Sequence, residues 1–502
     1  AWRVIAPLAF AKLVLHVGTN LFGPYEFHRD EFLYMAMGEN LRLWQMDFPP
    51  LIALLSEGTR YLLGDGLWAL RLPPAVLSTA LLLLAALAAR ELGGRGFAQG
   101  LAGLCVLASG LFLRTGNLFQ PVVLDQLWWS LALFALLRLG TTENPRWWLA
   151  FGACLGFGLL TKFSVLVFGF AAAAALLLTR ERRWLATLWP WAAAALALLL
   201  GSPSIAGQHN LGWPLLNQMT DLQSAQLVRV SAASFLLDQA MMHAGFIVAA
   251  AGAVGLASGR LGRPYRLAGW SAILAFVTLL LLQGKSYYAG PVYPVLFGAG
   301  AVLVERIRTP WWRPTARWGL LVLLALYLIV LFPLGLPVLK PETMERYLVA
   351  IGFQSAAVTN VGAQERIPQD YADMLNWREQ VREVARVYRG LPPGDQERAV
   401  ILASNYGEAG AIDFYGPGFG IPGARAFVGS YWFFGPGELP GEVMILHGFT
   451  ESQLSPYFGE ITAAGRVTHP YAVREERDLT VYIGRRPRTT LQEAWPRWRG
   501  QN

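Results

Sequence analysis

The sequence predicts an all-α polytopic membrane protein that continues into an α/β domain outside the bilayer. Hydrophobic residues make up 54% of the 502-residue chain and charged residues only 15%, well below the roughly 25% charged residues of soluble proteins. Many apolar runs reach or approach the ~20 residues that a helix needs to cross a bilayer. These runs stop near residue 340, and most acidic residues follow that point.

The hydrophobic runs predict about eleven transmembrane helices. Arginines cluster in every second gap between the runs, and the positive-inside rule makes those gaps cytoplasmic. An odd number of spans then puts the C-terminus outside the cell, so we expect a multi-pass membrane protein whose C-terminal part is external. The predicted spans are 4–22, 72–90, 97–113, 121–138, 147–160, 162–179, 185–202, 235–258, 267–282, 292–306 and 318–337.

Two domains follow from this pattern: a membrane domain, residues 1–339, and an external α/β domain, residues 340–502, which we call the C-terminal domain. In the C-terminal domain, helical periodicity predicts a helix over 369–389 that ends at Gly390. Short apolar runs predict strands at 399–403, 442–446 and 479–483. The long first external gap, 23–71, is expected to hold two helices that lie along the membrane interface.

Polar residues of unusual type gather in the gaps assigned to the external face. The first such gap contains the sequence HRDE, and Asp30 has two interpretations there. Asp is a favoured N-cap for the helix that follows, and Glu31 would favour the helix dipole. A carboxylate held close to the lipid head groups could instead take part in catalysis. The other candidates are Arg114, Asp125, Lys162, His209, Lys285, Tyr287 and Tyr288.

Lysine usage supports two of these candidates. Of 41 basic residues only four are lysines, and Lys162 and Lys285 both lie at predicted external membrane boundaries. An ammonium is a compact point charge, whereas a guanidinium is a planar fork, so a retained Lys indicates a site that needs the smaller group. Chance is the alternative. Lys12 and His16 share a face of the first helix, where either function or an internal hydrogen bond explains them.

Several segments together resemble the bacterial membrane glycosyltransferases of family 39. These enzymes have the GT-C fold and are related to the dolichyl-phosphate-mannose–protein mannosyltransferases and the lipid A aminoarabinose transferase. The segments span nearly the whole chain, although the family's common HPP is FPP at 48–50. They are KLVLH (12–16), HRDEFLYMAMGENL (28–41), MDFPPLIALL (46–55), PVVLDQLWW (121–129), LLTKFSVLV (159–167), GKSYYAGPVYPVLFGAGA (284–301), NYGEAGAIDFYGPGFGIP (405–422) and SYWFFGPG (430–437).

The resemblance implies transfer of a sugar from a polyprenyl phosphate to an acceptor hydroxyl on the external face, usually with inversion. It also implies that the protein lies in the bacterial inner membrane. It implies that Asp30 is the catalytic residue of the DE pair, with Glu31 beside it. It also implies that Asp125 is the second acidic position, Lys162 the basic residue after the fifth span, and Lys285, Tyr287 and Tyr288 the late external motif. The expected partners are the lipid-linked donor, a lipid, glycan or protein acceptor and membrane lipids, with no nucleic acid.

The residue chemistry agrees with this resemblance. Glycosyl transfer needs a carboxylate to take the acceptor proton and cations where the phosphate leaving group gains charge. Asp30 suits the first role, and Lys162, Lys285 or Arg114 the second. Tyr287 and Tyr288 bind sugar or phosphate, or belong to an interfacial aromatic belt. Tyr406, Glu408 and Asp413 are the main polar candidates of the C-terminal domain, and we expect them to be structural; that domain should affect acceptor use rather than chemistry.

The function, the cofactor and the identity of the substrates stay open at this stage. A secondary transporter or a flippase for a lipid-linked or anionic substrate is the alternative function, although transporters bind near the bilayer midplane and often show repeats. A third possible function is that of a non-catalytic partner in an envelope complex. No cofactor is implied with certainty; Asp30, Glu31 and Asp125 could bind a divalent cation, but such ions need several oxygen ligands. The sequence also leaves the sugar and the acceptor undefined.

Overall fold

The computed structural model describes residues 2–499, and the membrane domain in it is helical. Apolar residues on all sides of most long helices explain why they pack together or face lipid. The helices of this domain are α1 (Trp2–Phe22), α2 (Arg29–Glu39), α3 (Leu51–Leu63), α4 (Leu67–Leu70), α5 (Leu72–Glu91), α6 (Gly96–Ala108), α7 (Gly110–Thr115), α8 (Pro121–Thr142), α9 (Trp147–Leu159), α10 (Val165–Leu178), α11 (Trp189–Asn210), α12 (Pro214–Ala225), α13 (Ala232–Met242), α14 (Phe246–Ala257), α15 (Arg266–Leu281), α16 (Tyr293–Glu305) and α17 (Trp312–Gly335).

The prediction of a polytopic membrane protein is confirmed. Among residues 2–499, seven helices are long and apolar enough to cross a membrane, or eight if α13 and α14, which are bent by 108°, form one broken span. Three shorter apolar helices, α6, α9 and α10, coincide with further predicted spans. The count of eleven stays a prediction. Helices α2 and α3 occupy the first predicted external gap.

The C-terminal domain contains a mixed sheet flanked by helices. The strand order is β2-β1-β3-β5-β4, in which β1 is parallel to β2 and β3, and β5 is antiparallel to β3 and β4. Its elements are α18 (Pro341–Ala350), α19 (Gln369–Ala372), α20 (Trp377–Arg389), α21 (Pro393–Gln396), β1 (Ala399–Ala403), α22 (Tyr406–Phe419), β2 (Ala424–Arg425), α23 (Ser430–Phe434), β3 (Val443–His447), α24 (Glu451–Leu454), β4 (Phe458–Thr468), β5 (Asp478–Pro487) and α25 (Leu491–Ala494).

Both faces of the central strands are covered, which explains why β1 and β3 are continuous apolar runs. Successive side chains point to opposite faces of a strand. Ile401 and Ile445 face a core that α2, α20 and α22 share, whereas Leu402 and Leu446 face a second core with Trp495. Helix α2 therefore belongs in sequence to the membrane domain but packs into the core of the C-terminal domain.

Two details of the C-terminal domain differ from the sequence prediction. The helix predicted over 369–389 is interrupted between α19 and α20, because Asn376 has a left-handed backbone with φ of 77°. The three predicted strands exist as β1, β3 and β5, but β2 and β4 were not predicted. Strand β2 has only two residues, and β4 is exposed along much of its length, so neither gives a strong apolar pattern. The predicted boundary at residue 340 falls between α17 and α18.

Candidate active site

The first turn of α2 directs four consecutive side chains to different parts of the molecule. His28 is the N-cap: its Nδ1 accepts the Asp30 N–H at 3.1 Å, and its own N–H donates to the Glu31 carboxylate at 2.7 Å. This reciprocal pair is a capping box with His in place of the usual Ser or Thr. The interpretation of Asp30 as the helix cap is therefore wrong, because its carboxylate is free for other partners.

Glu31 is the buried member of the DE pair. Its side chain is 0% exposed and forms two hydrogen bonds, of 2.8 and 2.7 Å, with the Arg71 guanidinium, which is 1% exposed. The Phe119 N–H donates to the same carboxylate at 2.8 Å. With the bond from His28, both oxygens of Glu31 are fully used. Glu31 thus ties α2 to the N-terminus of α5 and to the loop before α8.

Asp30 projects into a partly open space, with 27% of its side chain exposed. Each carboxylate oxygen accepts one hydrogen bond: the Gln120 amide donates to Oδ2 at 2.9 Å, and the Tyr406 hydroxyl donates to Oδ1 at 2.9 Å. Gln120 precedes α8 in the membrane domain, and Tyr406 begins α22 in the C-terminal domain. The carboxylate is therefore oriented by both domains and keeps acceptor capacity for a further group.

Arg29 faces the C-terminal domain from the same turn. Its guanidinium lies 2.9 Å from Asp373 and within 3.4 Å of the carboxylates of Glu475 and Glu476. Burial raises the pKa of Asp373, and the charge of Arg29 offsets part of this effect. His28 Nε2 lies 3.8 Å from the Asp373 carboxylate. These contacts fix α2 on the C-terminal domain, so the position of Asp30 depends on both domains.

Lys162, Lys285, Tyr287 and Tyr288 meet in one group, which we call the lysine–tyrosine cluster. The Lys162 ammonium lies 3.9 Å from the Tyr288 ring centre and 5.3 Å from that of Tyr287. The Lys285 ammonium lies 6.0 Å from the Tyr287 ring centre. Burial lowers the pKa of Lys285 and the charge of Lys162 lowers it further, whereas Asp30 opposes this. The cluster is thus close enough to Asp30 for their charges to interact.

Asp125 interacts with one member of this cluster, Lys162. It is 3% exposed, accepts a 2.8 Å hydrogen bond from the Ser164 hydroxyl through Oδ2, and interacts with the charge of Lys162. Its Oδ1 has no hydrogen-bond partner among residues 2–499. A buried carboxylate oxygen without a donor is costly, so Asp125 keeps an unused acceptor in a buried place.

Arg114 has partners of its own in the C-terminal domain. It donates to the Asp370 carboxylate and to the Leu334 carbonyl, and it stacks 4.6 Å from the Tyr371 ring centre. Burial opposes ionisation of Asp370, but Arg114 and His28 outweigh it and hold the pKa of that carboxyl below its usual range. The pair also interacts with Lys285 through Asp370. Arg114 is therefore less available to a ligand than the two lysines are.

His209 is not brought into this group. It is exposed at the C-terminal end of α11 and packs edge-to-face with Trp213, with ring centres 6.4 Å apart.

The structure does not show a site for a divalent cation among the described residues. No group of three or more His, Cys, Asp or Glu side chains in that part of the chain has the arrangement of a metal site. Glu31 is fully used by its donors, and Asp125 is beside Lys162. The residues present therefore do not fit a metal.

The sequence patterns did not identify several residues that the structure places in the site. Arg71 could have been noticed, because an arginine at a predicted external boundary goes against the positive-inside rule. Tyr406 was expected to be structural; it donates a hydrogen bond to Asp30, and its role stays a prediction. Glu408 accepts from Ser404, and Asp413 accepts from Tyr431 and Ala424; those contacts agree with structural roles.

Comparisons with known proteins agree with this architecture. A family model described as dolichyl-phosphate-mannose-protein mannosyltransferase matches residues 47–206. The crystal structure of ArnT from Cupriavidus metallidurans bound to undecaprenyl phosphate is similar to this chain, with a TM-score of 0.62 at 14% identity, covering 95% of this chain and 97% of that chain. The apo structure of the same ArnT gives a TM-score of 0.60 at 15% identity, with the same coverage.

A more distant similarity is to the archaeal oligosaccharyltransferase AglB from Archaeoglobus fulgidus in complex with an inhibitory peptide and a dolichol-phosphate. The TM-score is 0.50 at 13% identity, covering 88% of this chain and 69% of that chain. A search of curated proteins gives no match. These likenesses confirm the predicted fold, and the family model confirms the resemblance over the residues that it matches.

Proposed function

We propose that this protein is an integral membrane glycosyltransferase that moves a sugar from a polyprenyl-phosphate donor to an acceptor hydroxyl on the extracytoplasmic face of the membrane. The single observation that carries the proposal is the juxtaposition of Asp30 with the lysine–tyrosine cluster. The partly open Asp30 carboxylate interacts with the charge of the Lys285 ammonium, and Lys285 and Lys162, from distant parts of the sequence, approach the same Tyr287 ring. This is the combination of groups that glycosyl transfer from a phosphate requires.

Asp30 is the proposed general base. The acceptor hydroxyl would give its proton to the Asp30 carboxylate while its oxygen bonds to the anomeric carbon of the sugar. The bond from that carbon to the phosphate oxygen breaks at the same time, and the electron pair leaves with the lipid phosphate. One attack from the face opposite the phosphate inverts the anomeric configuration. Gln120 and Tyr406 hold the carboxylate in one orientation during this step.

Lys162 and Lys285 are the proposed phosphate-binding residues. Neither ammonium has a carboxylate within 4 Å among residues 2–499, so each retains donors for a ligand. The leaving phosphate gains charge in the transition state, and two fixed cations stabilise that charge strongly where water is excluded. Tyr287 and Tyr288 orient the lysines through cation–π contacts. Asp125 is a proposed partner of Lys162 or of a sugar hydroxyl.

A lipid carrier suits this arrangement better than a nucleotide does. The family model, and the undecaprenyl phosphate and dolichol-phosphate in the similar structures, support a lipid-linked donor. The predicted cytoplasmic gaps are also too short to hold a nucleotide-binding domain. Each CH₂ of a buried polyprenyl tail would add about 0.8 kcal/mol to binding. A lipid, glycan or protein can supply the acceptor, and the sugar remains to be identified.

Glu31 is proposed to position Asp30 and not to react itself. All of its acceptor capacity is used by Arg71, His28 and Phe119, so it has no free face toward a substrate. Arg114 is proposed to be a secondary contributor to the phosphate site, because Asp370 neutralises it. We do not include His209 in the site, since it is exposed and paired with Trp213.

The transporter or flippase alternative has less support. Transport sites lie near the bilayer midplane between moving halves, whereas Asp30 is held in the contact between the two domains. The buried Arg29–Asp373 pair fastens α2 to the C-terminal domain, and the buried Glu31–Arg71 pair fastens α2 to the other membrane-domain helices. A site built across a fixed contact fits positioned chemistry better than alternating access.

The test is a transfer assay with the purified full-length protein in detergent. Labelled sugar is offered on a polyprenyl phosphate or on a nucleotide, with a membrane extract freed of polyprenyl phosphates as the source of acceptors, and products are identified by mass spectrometry. We expect transfer only from the lipid-linked form. Transfer from the nucleotide form without any lipid carrier would contradict the proposal, and so would movement of the lipid-linked sugar across vesicles without a new glycosidic bond.

A further inference from the structure

The C-terminal domain contacts the proposed catalytic carboxylate directly, which the sequence did not indicate. The hydroxyl of Tyr406 donates to Asp30 Oδ1 at 2.9 Å across 376 residues of sequence. Burial raises the pKa of Tyr406 well above its usual range, and the negative charge of Asp30 raises it further. The phenol therefore stays protonated and can only act as the donor in this hydrogen bond.

The position of Tyr406 is fixed from two directions. Asn405 caps α22 by accepting the N–H groups of Gly407 and Glu408 at 2.9 and 3.0 Å, which sets the direction of the first turn. A Cβ atom at Gly407 would lie 3.0 Å from the Arg29 side chain, and one at Gly410 would lie 2.6 Å from that of Phe32. Only glycine lets α22 approach α2 this closely.

Aromatic packing holds the two helices together. Phe32 is 1% exposed and contacts the rings of Trp377, Phe414 and Tyr415, with ring centres 5.7 to 6.0 Å apart. Since Phe32 is two residues after Asp30, this packing fixes the distance between the carboxylate and the start of α22.

We propose that Tyr406 is a positioning residue of the active site, by which the C-terminal domain holds the Asp30 carboxylate in its reactive orientation. This inference rests on the proposed function. The C-terminal domain is then part of the catalytic unit, in contrast to a role restricted to acceptor use. Gln120 fixes the other oxygen, and loss of either donor lets the carboxylate rotate away from the acceptor.

The experiment compares Tyr406→Phe with a matched control, Tyr431→Phe, in the full-length protein. Tyr431 lies in the same domain and also donates its hydroxyl to a buried carboxylate, that of Asp413, at 2.5 Å. We expect Tyr406→Phe to lower kcat by about 10- to 100-fold, since small misplacement of a reacting group has effects of this size. The donor KM should change by less than about twofold, because the lysines are intact. Tyr431→Phe should keep kcat within about twofold of wild type.

A second variant separates positioning from packing. Replacement of Tyr406 by 3-fluorotyrosine keeps the ring and the hydroxyl donor, so kcat should return to near the wild-type value. Wild-type kcat in Tyr406→Phe would overturn the inference, as would equal losses of kcat in Tyr406→Phe and Tyr431→Phe with equal falls in melting temperature. Absence of transfer by the wild-type protein would instead overturn the proposed function, and this inference with it.

Discussion

Asp30 and Glu31 are adjacent carboxylates in regions of the molecule with opposite character. Glu31 is enclosed by α5 and the loop before α8, is 0% exposed and is fully satisfied by an arginine and two backbone N–H groups. Asp30 is 27% exposed, accepts one neutral donor on each oxygen and interacts with the charge of Lys285. The comparison shows that partners, and not residue type or sequence position, decide which carboxylate of the pair has capacity for chemistry.

The largest effect is expected for Asp30→Asn. Asn preserves the shape of the side chain but cannot take a proton, so transfer should fall by about 10²- to 10⁴-fold. The melting temperature should stay close to wild type, since His28 and not Asp30 caps the helix. Turnover of the purified variant and its thermal unfolding are the two measurements. Near-normal turnover would show that another group is the base.

Glu31→Gln should give the opposite pattern. Arg71 would keep its charge in a buried place without a counter-ion, and breaking such a pair costs about 3–5 kcal/mol of folding free energy. The variant should unfold at clearly lower temperature, whereas the molecules that remain folded should lose far less turnover than Asp30→Asn does. Adding Arg71→Gln should restore part of the stability. A stable variant without activity would assign the chemistry to Glu31.

Lys285→Arg should have a smaller effect, roughly a tenfold loss of kcat/KM. The reason is that a planar guanidinium would have to occupy the position near Tyr287 that the compact Lys285 ammonium now occupies. The matched control is Lys340→Arg, since Lys340 is exposed before α18. Steady-state kinetics of both variants decide the point. Equal kinetics for the two would remove the argument from lysine usage.

The smallest effect concerns pH. Burial raises the pKa of Asp47 to about 6, above the ~3.9 of an exposed Asp. Between these values the folded protein holds a proton that the unfolded chain releases, so the stability contribution of Asp47 falls as pH rises toward 6. Asp47→Asn should therefore raise the melting temperature at pH 7.5, by roughly 2 °C, and by less at pH 5. A difference independent of pH would contradict this.

The sequence predicted the elements that have strong local signals. Long apolar runs indicated the membrane helices, and β1, β3 and β5 followed from short apolar segments. Asp30, Asp125, Lys162, Lys285 and the tyrosine pair were identified from residue type and from the family resemblance, and the structure brings them together. Their assignment to roles in catalysis stays a prediction until variants are measured.

The sequence patterns did not predict contacts between segments that are far apart in the chain. Tyr406 meets Asp30 only because Gly407 and Gly410 let α22 approach α2, and no periodicity reports such an approach. The break before α20 depends on the left-handed backbone of Asn376, which helical propensity alone does not predict. Arg71 was overlooked because its partner, Glu31, was itself assigned to the chemistry.

The most direct test of the account is a cryo-EM structure of the full-length protein with bound polyprenyl phosphate. The account predicts that the phosphate lies within hydrogen-bond distance of Lys162 and Lys285, beside Tyr287 and on the same side as the Asp30 carboxylate, with the lipid tail leaving toward the bilayer. Phosphate density at another place, such as the arginines around 306–313 at the opposite end of α16, would contradict the central claim.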